Sequence, residues 1–222
     1  VAARLAQLTH APHFEVQLGP VISPDLSKMP ERWSEAAFVR WEAAARLPEV
    51  DAHDIFVKGG VDVGFVSGAQ IDRYGNLNVT AIGDYTRPRV RLIGCLALPE
   101  HLAFARRPIV IIDQSRRTFV ERVDFRSGVG HLHGGKSRTE AGLRPGGTWK
   151  VITNLAVLSF HPESKEMQIE SLHPGVSLAQ VQEQTGFPLR IPDEVAETPP
   201  PAAEIVHLIR HEIDPQNLLL RY

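Results

Sequence analysis

Apolar and polar positions recur along this chain with two different periods, and the changes of period mark its elements. "VAARLAQLTH" reads as a short amphipathic helix, whereas "HFEVQL" alternates and predicts a strand. In "MPERWSEAAFVRWEAAARL", Pro30 stands at the start, acids follow, and Trp33, Ala37 and Trp41 recur at near-helical spacing. That pattern predicts one long helix with both tryptophans in the core. The run "VDVGFVS" carries Val61, Val63, Phe65 and Val66 on both faces, as a strand covered on two sides requires. "RYGN" is a turn by composition, with Gly75 free to take a positive φ, and "LNVTAI" resumes as a strand, so a β-hairpin is expected here. "EHLAFARR" then reads as a helix, and "PIVIID", "TFVERVDF", "WKVITNLAVLSF" and "MQIESL" read as strands. Residues 178–184 and 202–211 are helical in pattern, and the proline-rich "RIPDEVAETPPPAAE" between them reads as a surface tether. Strands that first alternate with helices and then run together predict one α/β domain over 1–222, with an open mixed sheet flanked by helices.

Composition narrows the class without changing that picture. The chain has 222 residues, 43% hydrophobic and 23% charged, which is ordinary for a water-soluble globular protein. No apolar run approaches the roughly 20 residues of a membrane span, so no membrane role is expected. A net charge of −2, with acids and bases interspersed, argues against a nucleic-acid surface. Cys95 is the only cysteine, which rules out an intrachain disulfide and fits a reducing, cytoplasmic setting. Among the histidines, His131 and His133 in "HLHGG" form the closest pair, yet the glycine-rich stretch 126–147 predicts a solvated loop rather than a metal centre. Glycine loops of the dinucleotide or Walker type are missing, and no permanently bound cofactor is expected.

The chemistry concentrates in "GAQIDRYGNLN", where Gln70, Asp72, Arg73, Asn76 and Asn78 surround two glycines at a strand end. Polar groups in that position either close a turn or line a pocket.

Several strings in order, "GGVDVGFVSGAQIDRYGNLNVTAIGDYTRPRVRL", "FVERVDF", "VITNLAVLSF", "SLHPGVSLAQVQEQTGF" and "LIRHEIDP", resemble the β-type subunit of the family I coenzyme A transferases, as in glutaconate coenzyme A transferase. The similarity runs over about residues 10–215, and it extends to the steroid ring-cleaving hydrolases of the same fold. Such a resemblance implies a coenzyme A transferase-like subunit paired with an α-type subunit, with an acyl-coenzyme A thioester as substrate between the two. Family subunits carry a βα unit ahead of the point at which this sequence starts. By resemblance, Gly68, Ala69, Gln70, Asp72, Gly75 and Asn76 wall the acyl pocket. The Gln70 amide would orient a thioester carbonyl or substrate carboxylate, and Asp72 would accept N–H bonds within the turn.

Two departures qualify the expectation. The transferases attack the thioester with a glutamate at the end of an early strand. Aligned from "HAP", this chain has Gly19 or Pro20 there, and Glu15, the nearest acid in sequence, lies roughly 13 Å back along an extended strand. After "RPRVRL" the family has a glycine loop whose N–H groups stabilise charge on the thioester oxygen. Here "IGCLALPEHLA" keeps Gly94 but brings in Leu96 and Ala97, and Cys95, with no local histidine, is expected as an inert core thiol. The implied function is therefore a β-type subunit acting on acyl-coenzyme A as a hydrolase, with its catalytic acid on the partner. The alternatives are a working transferase subunit and a non-catalytic scaffold. An apolar helix in "WSEAAFVRW" is the expected partner contact.

Overall fold

The structure, a computed structural model, describes residues 1–30 and 34–220. Its internal contacts divide the chain into two compact units, Val1–Asp54 with Pro200–Tyr222, and Ile55–Pro199.

The first unit opens with α1 (Ala2–Thr9), as its periodicity predicts. Strands β1 (Gln17–Leu18) and β2 (Val21–Pro24) follow and pair antiparallel, with Leu18 opposite Val21. The long helix expected after Pro30 is much shorter: α2 covers Glu35–Arg40, capped by the Ser34 hydroxyl on the Ala37 N–H. Trp41 turns extended, and β3 (Ala43–Arg46) pairs antiparallel with β2. Three alanines in that strand show pairing overriding a strong helix propensity. Trp41 is buried and its indole N–H donates to the Asp25 carbonyl, 2.8 Å away; Trp33 lies outside the described residues. Helix α3 (Glu49–Val57), which the periodicity does not predict, follows β3 directly.

The second unit is a mixed α/β layer structure. Strands β4 (Val63–Val66), β5 (Gln70–Ile71), β6 (Leu77–Asn78), β7 (Ala81–Ile82) and β8 (Val90–Arg91) lead to α4 (Leu98–Phe104) and β9 (Arg107–Ile111). Then come α5 (Ser137–Glu140), β10 (Lys150–Ile152), β11 (Ala156–Phe160), β12 (Met167–Leu172), α6 (Leu178–Glu183) and β13 (Ala196–Glu197). Six of the strands form one sheet in the order β13-β12-β11-β10-β9-β4. Pairing is parallel from β4 through β10, antiparallel from β10 through β12, and parallel again at β13. Val110, Val151, Leu158, Met167 and Ile169 belong to one buried core with Leu98 and Leu102 of α4 and Val181 of α6. A capping box of Ser177 and Gln180 starts α6.

Four expectations are corrected in this unit. β4 is an edge strand, and Phe65 is 46% exposed, so it is not covered on both faces. The hairpin is formed by β5 and β6, downstream of β4. "TFVERVDF" is not a strand; it bridges β5 at Phe119 opposite Ile71, and the Phe119 carbonyl also accepts from the Gly186 N–H. The proline-rich tether is itself pinned to the sheet by β13. The first unit is completed by α7 (Ala203–Leu208) and a π-helical turn (Ile209–Ile213). No helix among the described residues is long and apolar enough to cross a membrane.

Candidate functional site

The polar residues of "GAQIDRYGNLN" turn inward. Asp72 Oδ1 accepts from the N–H groups of Tyr74 and Asn76 at 3.0 and 3.1 Å, and both its oxygens accept from the Asn76 amide. Burial raises the Asp72 carboxyl above its ordinary range, and the hydrogen bonds from Asn76 and Tyr74 oppose that shift. The Asn76 side chain is fully buried; it donates to the Leu132 carbonyl and accepts from the Gly130 N–H. Gly75, at φ +69°, closes the turn where a Cβ would stand 2.7 Å from Phe160. Asp72 therefore has the turn-closing role expected of it.

Gln70 Oε1 accepts from Asn78 at 2.7 Å and from the Asp124 N–H at 3.0 Å, while Nε2 donates to the Asp124 carboxylate. Both acceptor sites of that amide are occupied inside the protein, and only one N–H is left to meet anything else. Gln70, Asp72, Asn76 and Asn78 thus form a buried brace, joined by Asp124, which sequence reasoning missed. Gly68 and Ala69 instead line an open, mainly apolar cleft of about 630 Å³ with Ser67, Val79, Arg91 and Ile93. Gly94, at φ +98°, adjoins that cleft and donates its N–H to the Val79 carbonyl.

The loop after Gly94 departs from the expected inert core. Cys95 is half-buried rather than packed inside, Ile93 is 99% exposed and Leu96 78%. Ala97 takes a left-handed φ of +58° immediately before α4.

The solvated-loop reading of 126–147 is also overturned for its central residues. His131 is buried, its ring meeting Phe160 edge-on and its Nε2 bonding the Thr148 carbonyl at 2.9 Å. Arg138 is buried, and its guanidinium donates to the carbonyls of Val129, Gly130, Arg144, Leu102 and Ala103. His133 lines a shallow cleft with Asp72 and Arg126. No group of three or more histidine, cysteine or acidic side chains among the described residues is arranged to hold a metal ion.

In the first unit, Gly19 and Pro20, the residues that the sequence reading sets against the family glutamate, form the turn between β1 and β2. Gly19 has φ +54° and Pro20 follows it, the pattern of a two-residue hairpin turn with glycine first. Glu15 is exposed and precedes β1. A different acid approaches instead: a Cβ at position 19 would stand 3.9 Å from Glu49 Oε1, the only heavy atom of the described residues within 4 Å beyond its chain neighbours. The signal for Glu49 was the pair Pro48-Glu49 with Asp51, a helix start in composition.

A sequence profile described as "Coenzyme A transferase" matches residues 14–184. The chain belongs to the coenzyme A transferase family. It is 37% identical over 213 residues to one of the subunits of 3-oxoadipate CoA-transferase from Pseudomonas knackmussii, covering 94% of this chain and 81% of that one. It is 31% identical over 220 residues to the cholesterol ring-cleaving hydrolase IpdB subunit of Mycobacterium tuberculosis, covering 98% and 84%. Among solved structures, glutaconate coenzyme A-transferase of Acidaminococcus fermentans superposes with a TM-score of 0.88 at 26% identity, over 100% of this chain and 86% of that one. The decarboxylase AibA/AibB superposes at 0.79 and 25% identity, over 95% and 81%. Thus the expected family and fold hold, and this coenzyme A transferase-family chain is similar to proteins named as transferases, hydrolases and decarboxylases.

Proposed function

We propose that this chain is the β-type subunit of a two-subunit hydrolase of acyl-coenzyme A thioesters, paired with an α-type subunit that supplies the catalytic acid. The feature that carries the reading is the Gly19–Pro20 turn: the sequence reading sets Gly19 or Pro20 where a transferase of the family needs a nucleophilic carboxylate, and neither residue has one. Without a carboxylate there, no covalent coenzyme A thioester forms at that position. The cleft beside Gly68, Ala69 and Gly94 suits the acyl portion, because its walls are mainly apolar and a few backbone polar groups remain at its edge. Similarity to the ring-cleaving hydrolase subunits supports the same reading.

The higher identity to a transferase subunit, 37% against 31%, favours a second reading, that of a working transferase. One experiment separates them. The chain is co-purified with its α-type partner, and coenzyme A thiol release from acyl-coenzyme A is followed with and without a carboxylate acceptor. A parallel sample is reduced with borohydride and weighed intact. Acceptor-independent thiol release with no adduct on this chain is the expected result. Acceptor-dependent transfer with a borohydride-sensitive adduct on this chain overturns it, and a complex inert in both assays assigns a scaffold role.

A further inference from the structure

We infer that Arg122 and Arg126 form a binding site for a phosphate group, carried by a coenzyme A thioester or free in solution. Only the coenzyme A source rests on the reading above. Both side chains line the same two hollows of the second unit: the shallow cleft of about 320 Å³ that holds Asp72 and His133, and one of about 490 Å³ walled also by Val123, Asp124 and Phe125. Among the described residues, neither arginine makes a side-chain hydrogen bond or an ion pair.

The acids in these walls are already answered by other groups. Glu121 pairs with Arg73, which also reaches Glu166 at 3.9 Å. Asp124 accepts from the Gly83 N–H at 2.8 Å and from the Gln70 amide at 3.2 Å. Burial raises the Asp72 carboxyl; the bonds from Asn76 and Tyr74 oppose that shift and the Arg126 charge opposes it least, so Arg126 stands near Asp72 without bonding it. The Nε–H groups of Arg126 and Arg73 are buried without a partner, two of the three such side-chain atoms among the described residues, and both belong to this cleft. A donor withdrawn from water and left unanswered costs free energy, which a bound oxyanion offsets. The segment around the arginines is anchored in advance. Val123 is buried, the Asp124 N–H donates to Gln70 Oε1 at 3.0 Å, and the Ser127 hydroxyl accepts from the Val79 N–H at 2.9 Å.

The donors select the ligand. Each guanidinium is a planar fork of N–H groups with no acceptor, shaped for paired bonds to an oxyanion. A phosphate monoester carries roughly two negative charges and three acceptor oxygens, enough for both forks, whereas a carboxylate carries about half of that charge on two oxygens. A strip of side-chain contacts then joins the hollow to the acyl cleft. Phe125 stacks on Tyr85 at 4.9 Å, the Arg91 guanidinium lies 4.9 Å from the Tyr85 ring centre, and Arg91 lines that cleft beside Gly68 and Ala69. Coenzyme A carries its phosphorylated nucleotide at the end of the arm remote from the thioester, so the strip favours that source over free phosphate.

Calorimetric titration of the co-purified complex tests the site, with inorganic phosphate, adenosine 3′,5′-bisphosphate, coenzyme A and dephospho-coenzyme A as probes. Binding of the bisphosphate is expected to weaken about tenfold in Arg122→Gln or Arg126→Gln and about 100-fold in the double variant, at unchanged melting temperature. Arg126→Lys, which keeps the charge without the fork, is expected to recover only part of the loss. Glu121→Gln, which removes an acid from the cleft wall, is expected to tighten binding about threefold. These two variants keep the test decisive should a glutamine variant fail to fold. Weaker binding of dephospho-coenzyme A than of coenzyme A assigns the site to the ribose phosphate, and equal arginine-dependent binding assigns it to the diphosphate. Arginine-dependent binding of inorganic phosphate alone assigns it to the free ion, and each of the three supports the site. No measurable binding by wild type, or affinities that the double variant leaves unchanged for every probe, overturns it. No probe is turned over, so a complex that binds through these arginines yet releases no thiol counts against the hydrolase reading alone.

Discussion

At the scale of single residues, His131 carries a charge-state consequence. Burial lowers its pKa from 6.5 to about 4, against the opposing hydrogen bond to Thr148, while Lys165 and Arg138 add to the lowering. The unfolded chain therefore binds a proton that the folded chain refuses between those values. Stability from the neutral ring is fully present above pH 6.5 and is lost as pH falls towards 4, by about 3 kcal/mol. Urea unfolding at pH 7, 5.5 and 4 is expected to show that loss, and His131→Phe is expected to flatten it. Gly19 carries a conformational consequence. A side chain at φ +54° in this turn is strained by about 1–3 kcal/mol, and glutamate would add a charge beside Glu49. Gly19→Ala and Gly19→Glu are both expected to lower the unfolding free energy by about that amount, with no coenzyme A transfer gained by the glutamate. The sequence made these two residues unequally legible. The turn of Gly19 and Pro20 was reached through the resemblance, because an absent carboxylate is visible in a string. His131 was misjudged, because Gly and His in a loop read as solvated until Thr148 and Phe160, far along the chain, are seen to enclose the ring.

Elements were legible where periodicity was local. α1, α4, α6 and the strands β9 to β12 lie where apolar spacing put them. β3 was not, since "EAAAR" favours a helix in isolation and becomes a strand only by pairing with β2. The brace of Gln70, Asp72 and Asn76 was half legible: turn chemistry identified Asp72, whereas the bonds that Gln70 accepts from Asn78 and Asp124 join residues that the local pattern does not connect. At the start of α4, Ala97 occupies a left-handed conformation that glycine adopts without strain. Ala97→Gly is expected to raise stability by about 1 kcal/mol, measured as a higher urea midpoint at unchanged slope. An unchanged midpoint would mean that the loop already relaxes.

At the scale of the whole molecule, the surface near the cleft bears on assembly. Ile93 projects almost wholly into solvent at the cleft, Leu96 shortly after it in the chain is 78% exposed, and Val39 of α2 is 70% exposed. Large apolar side chains in such exposed positions fit a subunit made to meet another. Light scattering on the chain alone is expected to show self-association or a polydisperse population, and addition of the α-type partner to give a defined complex. Ile93→Asp, which removes nothing from the core, is expected to weaken that complex by about 2 kcal/mol or more at unchanged melting temperature of the free chain. A monodisperse, self-sufficient monomer that turns over acyl-coenzyme A would contradict the assembly.

The crossing of the hairpin turn and the 128–134 segment also sets an order of events. A Cβ at Gly130 would stand 2.3 Å from the Gly75 carbonyl, so these two backbones touch directly. The Tyr74 carbonyl holds the His131 N–H, and Asn76 holds that of Gly130, 54 residues along the chain. Neither segment can complete its bonds before the other arrives, so the crossing is a non-local contact that is expected to form late in folding. Once formed, it opens as one piece. Hydrogen exchange is therefore expected to report a single shared opening free energy for the amides of Gly130 and His131, equal to that of global unfolding.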